Sequence, residues 1–78
     1  MTVKIYTTST CPYCRMAKDL FKKKSISYEE INVEGNPAAA NEMVRKSGQM
    51  GVPVIDINGK IIVGFNRSEI EAALRLRA

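Results

Sequence analysis

The chain has no histidine and no tryptophan, and its 78 residues include only two cysteines. A zinc knuckle needs four ligands, so two sulfurs without histidine leave it half built unless a second chain or a borrowed ligand completes it. No apolar run approaches the roughly 20 residues that span a bilayer, and the amino end lacks the basic start, long apolar stretch and cleavage site of a signal peptide. The expectation is a soluble, cytoplasmic chain with no membrane partner. No linker, internal repeat or low-complexity stretch interrupts the sequence, and its length leaves room for one domain only, residues 1–78.

The net charge of +4 raises the question of nucleic acid, with Lys22-Lys23-Lys24 as the obvious patch. Those lysines fall where a first helix should end, and the carbonyl end of a helix stabilises cations. No aromatic or glycine-rich binding motif accompanies them, so nucleic acid is not an expected partner. A positive surface still steers acidic partner proteins, with an effect that salt weakens.

What is present alternates strand and helix signals. Residues 3–7, Val-Lys-Ile-Tyr-Thr, read as a first strand. From Pro12 to about Lys24, the spacing of Cys14, Ala17, Leu20 and Phe21 marks an apolar helical stripe, with Pro12 in the first turn. Residues 28–33 form a weaker strand. Asn36-Pro37 then supplies a cap and a favoured first residue for a helix to Ser47, with Ala40, Met43 and Val44 inward and Gly48 just past its end. Val54–Ile57 and Lys60–Val63 flank Asn58-Gly59, a strong hairpin signal. A last helix is capped by Asn66 with Glu69 or by Ser68 with Glu71, and turns Ile70, Ala73 and Leu74 inward. The order β-α-β-α-β-β-α predicts an α/β fold with a four-stranded mixed sheet covered by three helices.

The two cysteines occupy Cys11-Pro12-Tyr13-Cys14, between the first strand and the first helix. A structural bridge there closes almost no loop and removes little entropy from the unfolded chain. Metal ligation needs further ligands, and two unreactive core thiols are the remaining bland reading. Redox use fits best, because the unpaired N–H groups of the helix start favour a thiolate at Cys11. Cys14 shares the stripe of Ala17 and Phe21 and should be shielded. Cys11 is thus the expected nucleophile and Cys14 the resolving thiol, in an enzyme exchanging thiols and disulfides. Residues 1–18 contain Lys4, Arg15 and Lys18 but no acid, so nothing nearby repels a thiolate; Arg15 and Lys18 serve equally well to solvate an exposed helix face. Pro12 fixes one backbone angle between the sulfurs, and Tyr13 sets an aromatic surface beside them. Val52-Pro53 stands at a strand start, where Val52 must be extended and its main chain is free to pair with a visiting strand. An ordinary strand-start proline explains it equally well.

Ile5-Tyr6-Thr7, Cys11-Pro12-Tyr13-Cys14, Gly51-Val52-Pro53-Val54 and Val63-Gly64-Phe65, in this order, resemble the glutaredoxins across almost the whole chain. The resemblance implies a thioredoxin fold, a cis peptide before Pro53, and a substrate groove made by Tyr13, Val52, Pro53 and the segment Gly64-Phe65. It also implies a role in cell redox homeostasis and electron transport, with no bound cofactor or metal and with glutathione as reductant; a monomer is the default expectation. Glutaredoxins commonly carry a lysine shortly before the first cysteine and an acidic pair near the last helix, where this chain has Thr8 and Asn66-Arg67. The N–H groups of Asn66 and Arg67 offer a glutathione carboxylate another seat, and Gln49 offers a donor. Val63-Gly64-Phe65 is also similar to the small redoxins that serve ribonucleotide reductase and are recharged by thioredoxin reductase with NADPH. The tetrapeptide favours glutathione, and thioredoxin reductase stays open as the alternative. An iron-sulfur or metal carrier, in which two chains each supply Cys11, is the reading from a different class.

Overall fold

A computed structural model describes residues 2–75; residue 1 and residues 76–78 of the expected domain lie outside the described part. Seven elements follow in order: β1 (Val3–Thr7), α1 (Pro12–Lys23), β2 (Glu29–Asn32), α2 (Pro37–Ser47), β3 (Val54–Ile57), β4 (Lys60–Val63) and α3 (Arg67–Arg75). The sheet order is β2-β1-β3-β4. β1 runs parallel to β2, with Tyr6 opposite Ile31, and antiparallel to β3, with Tyr6 opposite Val54. β4 closes the hairpin with Val54 opposite Val63.

Period-2 alternation splits the strands between two faces. On one, Val3, Ile5, Ile55, Ile57 and Ile62 meet Ala17, Leu20 and Phe21 of α1 and Ile70 and Ala73 of α3. On the other, Tyr6 and Val54 meet Met43 of α2, with Ile31, Val33, Val52 and Ile61 packed around them. Local signals fix the ends. Asn36 Oδ1 accepts the Ala39 N–H at 3.2 Å, and Gly48 ends α2 at φ 78 in the left-handed region. Asn58 and Gly59 both adopt positive φ, 51 and 93, as a tight hairpin turn of mirror type requires.

Two expectations shift. The second strand spans 29–32 rather than 28–33, because Tyr28 turns to the α1 face, where its ring lies 5.5 Å from that of Phe21. The buried face of α2 uses Ala39 with Met43, while Ala40 and Val44 are only half-buried. At the start of α3, Asn66 Oδ1 accepts the Glu69 N–H at 3.2 Å, so the cap is the Asn66–Glu69 pair.

Candidate functional site

β1 ends at the fully buried Thr7, and the loop that follows is fastened before it reaches the sulfurs. The Ser9 N–H donates to Glu34 Oε1 at 2.9 Å, and Asn32 Nδ2 donates to Ser9 Oγ at 3.3 Å. Glu34 is itself set by its N–H donating to Asn32 Oδ1 at 2.8 Å. The loop thus enters α1 from a fixed direction, with Cys11 at the N-cap in extended conformation and Pro12 as first helical residue.

At the N-cap the Cys11 sulfur takes the place a serine oxygen would occupy, accepting the Cys14 N–H at 3.1 Å. The Cys11 and Cys14 sulfurs lie within disulfide-bonding range, on Cα atoms 5.2 Å apart. Their surroundings differ sharply. Cys14 is 1% exposed in the α1 stripe, Cys11 is half-buried, and Tyr13 beside it is 61% exposed. No acidic residue stands in the first turn of α1, and Arg15 is exposed there.

At the end of β1, Thr7 Oγ1 and Lys18 Nζ both donate to Glu30 Oε2, at 2.8 and 3.0 Å. The Lys18 hydrogen bond, helped by that of Thr7, holds the Glu30 carboxyl below the usual range. Lys18 follows Cys14 by one helical turn, which puts it on the same side of α1.

The second loop arrives at the same end of the sheet. Since Tyr6 pairs with Val54, the chain entering β3 runs alongside Thr7. Pro53 is fully buried, Val52 is half-buried, and the peptide between them is cis. Pro53 O accepts the Gly64 N–H at 2.8 Å, which fixes the end of β4 against this turn; Gly64 has φ 78, so glycine suits it. Gln49 lies before this turn, with its side-chain amide spent on Gly51 rather than pointing free: Oε1 accepts the Gly51 N–H and Nε2 donates to the Gly51 O, both at 3.1 Å.

Tyr13, Pro12, Arg15, Val52, Pro53 and Gly64 therefore gather at the end of the sheet that carries Cys11 and Cys14. Phe65 departs from that grouping. Its side chain packs against the α1/α3 cluster and lines a cleft with Met16, Asp19, Leu20, Lys23 and Arg67. Asn66 uses its side chain on Glu69, and Arg67 Nε pairs with Glu71 at 2.7 Å. Sequence reading missed the Ser9–Glu34–Asn32 fastening and the Thr7–Glu30–Lys18 cluster. Only Asn32 and Glu34, two residues apart before a glycine, hinted at the first. Among the described residues no group of three or more His, Cys, Asp or Glu side chains is gathered as a metal site, and no helix is long and apolar enough to cross a membrane.

Comparison with known proteins agrees with this geometry. The family model for glutaredoxin matches residues 3–62. A glutaredoxin-like 8.6 kDa protein of the Clostridium pasteurianum rubredoxin operon is 48% identical over 69 residues, covering 88% of this chain and 92% of that protein. Glutaredoxin 3 of Escherichia coli K12 is 45% identical over 62 residues, 80% of this chain and 75% of that one. Among solved structures, the NrdH-redoxin of Escherichia coli superposes with a TM-score of 0.83 at 29% identity, covering 92% of this chain and 93% of that one. The thioredoxin-like topology and the sulfur pair at the head of α1 thus come with a matching family sequence, and the chain belongs to the glutaredoxin family of thiol-disulfide oxidoreductases.

Proposed function

We propose that the chain reduces protein disulfides and glutathione mixed disulfides by cycling Cys11 and Cys14 between dithiol and disulfide, with glutathione returning the electrons. The inequality of the two sulfurs supports this reading: Cys11 accepts a helix-start N–H and reaches solvent, while Cys14 is buried. The Cys11 thiolate attacks one sulfur of the substrate disulfide and expels the other, which takes up a proton. Cys14 then gives up its proton, attacks the Cys11 sulfur and releases the second substrate thiol. Two electrons have passed to the substrate, and two glutathione thiols restore the dithiol as glutathione disulfide forms.

Among the described residues the Val52 main chain makes no hydrogen bond, so an extended substrate segment pairs there, flanked by Tyr13 and Pro53. Pro12 sets the spacing of the sulfurs and Arg15 favours the Cys11 anion. A glutathione carboxylate sits at the Gly64–Asn66 turn on the first N–H groups of α3, and Phe65 contributes its main chain to that turn. Recharging by thioredoxin reductase, with ribonucleotide reductase as the disulfide partner, is the second reading. Thr8 stands where a lysine is common, Asn66 and Arg67 are committed to Glu69 and Glu71, and the Escherichia coli NrdH-redoxin is described as thioredoxin-like in its activity profile.

The test is disulfide reduction with NADPH, supplied in parallel through glutathione plus glutathione reductase or through thioredoxin reductase. Turnover with glutathione is expected; turnover confined to thioredoxin reductase establishes the second reading. Cys11→Ser should abolish every activity. Cys14→Ser should end reduction of protein disulfides yet leave deglutathionylation of a single thiol, and equal loss of both would refute the division of labour.

A further inference from the structure

The loop Gly48–Gly51 carries more hydrogen bonding than its connecting role requires. Ser47 Oγ lies 2.8 Å from Met43 O and 2.9 Å from Gln49 O, donating to one at a time, and accepts the Gln49 N–H at 3.3 Å. Ser47 thereby ties the Gln49 main chain to the last turn of α2. The Gln49 amide then holds both polar groups of the Gly51 main chain. A primary amide is the one side-chain group that offers a neutral donor and an acceptor side by side for this purpose. Gly51 fits the arrangement closely: a Cβ there would lie 2.9 Å from Gln49 Oε1, and its three nearest neighbours all belong to the Gln49 side chain. The closed ring encircles one residue, Met50, which is left 76% exposed, immediately before Gly51 and Val52.

We propose that Gln49 is a positioning residue for disulfide exchange: its amide locks Gly51 so that the Val52 main chain is preset for an incoming polypeptide disulfide, with Met50 held outward as an apolar contact for it. This rests on the proposed pairing of substrate with Val52, and assigns Gln49 to organising the chain rather than to gripping glutathione. A loop already held in its binding conformation loses less entropy when substrate arrives, so the gain appears in substrate affinity.

The experiment is single-turnover reduction of two peptide disulfides by excess pre-reduced protein, one peptide bearing an internal disulfide and the other glutathionylated. Gln49→Ala should raise the half-saturating concentration about five- to tenfold for both peptides, the worth of one or two net hydrogen bonds. The limiting rate and the alkylation of Cys11 by iodoacetamide, which needs no groove, should stay unchanged. Gly51→Ala should raise half-saturation similarly in the native background and have no effect beside Gln49→Ala, because the three atoms nearest its Cβ all belong to the Gln49 side chain. An increase confined to the glutathionylated peptide, unchanged half-saturation, or multiplying effects of the two substitutions would each overturn the proposal. Failure of the underlying reading shows separately: a peptide N-methylated at the amide meant for Val52 would then be reduced by the native protein as readily as its parent.

Discussion

The two faces of the sheet are built on different principles. The α1/α3 face is a broad apolar cluster, with the Thr7–Glu30–Lys18 group of polar side chains at its β2 edge. The α2 face has a buried core of Tyr6, Met43 and Val54, and is crossed by a polar chain. There the Tyr6 hydroxyl donates to Glu42 at 2.5 Å, and Lys46 Nζ donates to the same hydroxyl and to Asp56, both at 2.9 Å. Hydrogen bonding from Tyr6 and Lys46 lowers the Glu42 carboxyl, and burial with the Glu42 bond raises the Tyr6 hydroxyl. Lys46 is raised well beyond its ordinary value, first by its bond to Tyr6 and then by Asp56. The difference assigns a task to each face: the apolar one keeps Cys14 out of water, and the polar one fixes the end of α2 from which the Gly48–Pro53 loop departs.

The largest expected effect sets the faces against each other directly. Phe21→Ala should lower unfolding free energy by about 3–5 kcal/mol, since it empties the middle of the broad cluster. Met43→Ala, on the thinner core, should cost about 2–3 kcal/mol. Denaturant titration of both variants checks this, and a Met43 loss equal to that of Phe21 would remove the distinction between the faces.

A smaller effect probes the polar chain. Lys46→Met strips the shared cation from Asp56, Glu42 and Tyr6, and should destabilise by about 1–2 kcal/mol through the bonds left unmade. Lys18→Met breaks an ion pair with the exposed Glu30 and should cost less than about 1 kcal/mol. The reverse order would mean that the β2 edge, rather than α2, carries the stronger electrostatic tie.

Sequence patterning made one face far more legible than the other. The α1 stripe, the hairpin turn at Asn58-Gly59 and the Asn36 and Asn66 caps follow from short-range chemistry, and the structure contains them where periodicity predicted. On the inward face of α2 Met43 is buried as expected, but Ala39 joins it in place of Ala40 and Val44, because Glu42 and Lys46 look like solvent residues until Tyr6 and Asp56 are brought across from other elements. Ala39, Met43 and Lys46 form the true stripe, and its polar member pairs with a residue 40 positions away. At the site the same rule holds. The N-cap role of Cys11 is local and was readable; Glu34 holding Ser9 spans 25 positions and was not. The amide of Gln49 was recognised as a donor but given a partner outside the chain, when its partner is two residues on.

Acid sharpens the comparison in its smallest and most specific form. Glu30 on the α1 face, and Glu42 and Asp56 on the α2 face, are all held below their ordinary values. At Asp56 burial works upward, but the Lys46 bond and the Gly59 N–H outweigh it. A carboxyl depressed in the fold binds its proton more readily when unfolded, so each contributes stability that is complete above the unfolded value and fades as pH falls through the folded one. Stability should therefore be level near neutrality and decline below about pH 5, where unfolded carboxyls begin to protonate. Lys46 serves two of the three carboxylates and Lys18 one. Lys46→Met should consequently flatten the acid decline more than Lys18→Met does, with each variant differing most from the native chain near pH 6–7 and converging on it in acid. Denaturation midpoints across that range decide it. A steeper acid decline in Lys46→Met than in the native chain would show that Lys46 does not hold those carboxylates in their charged form.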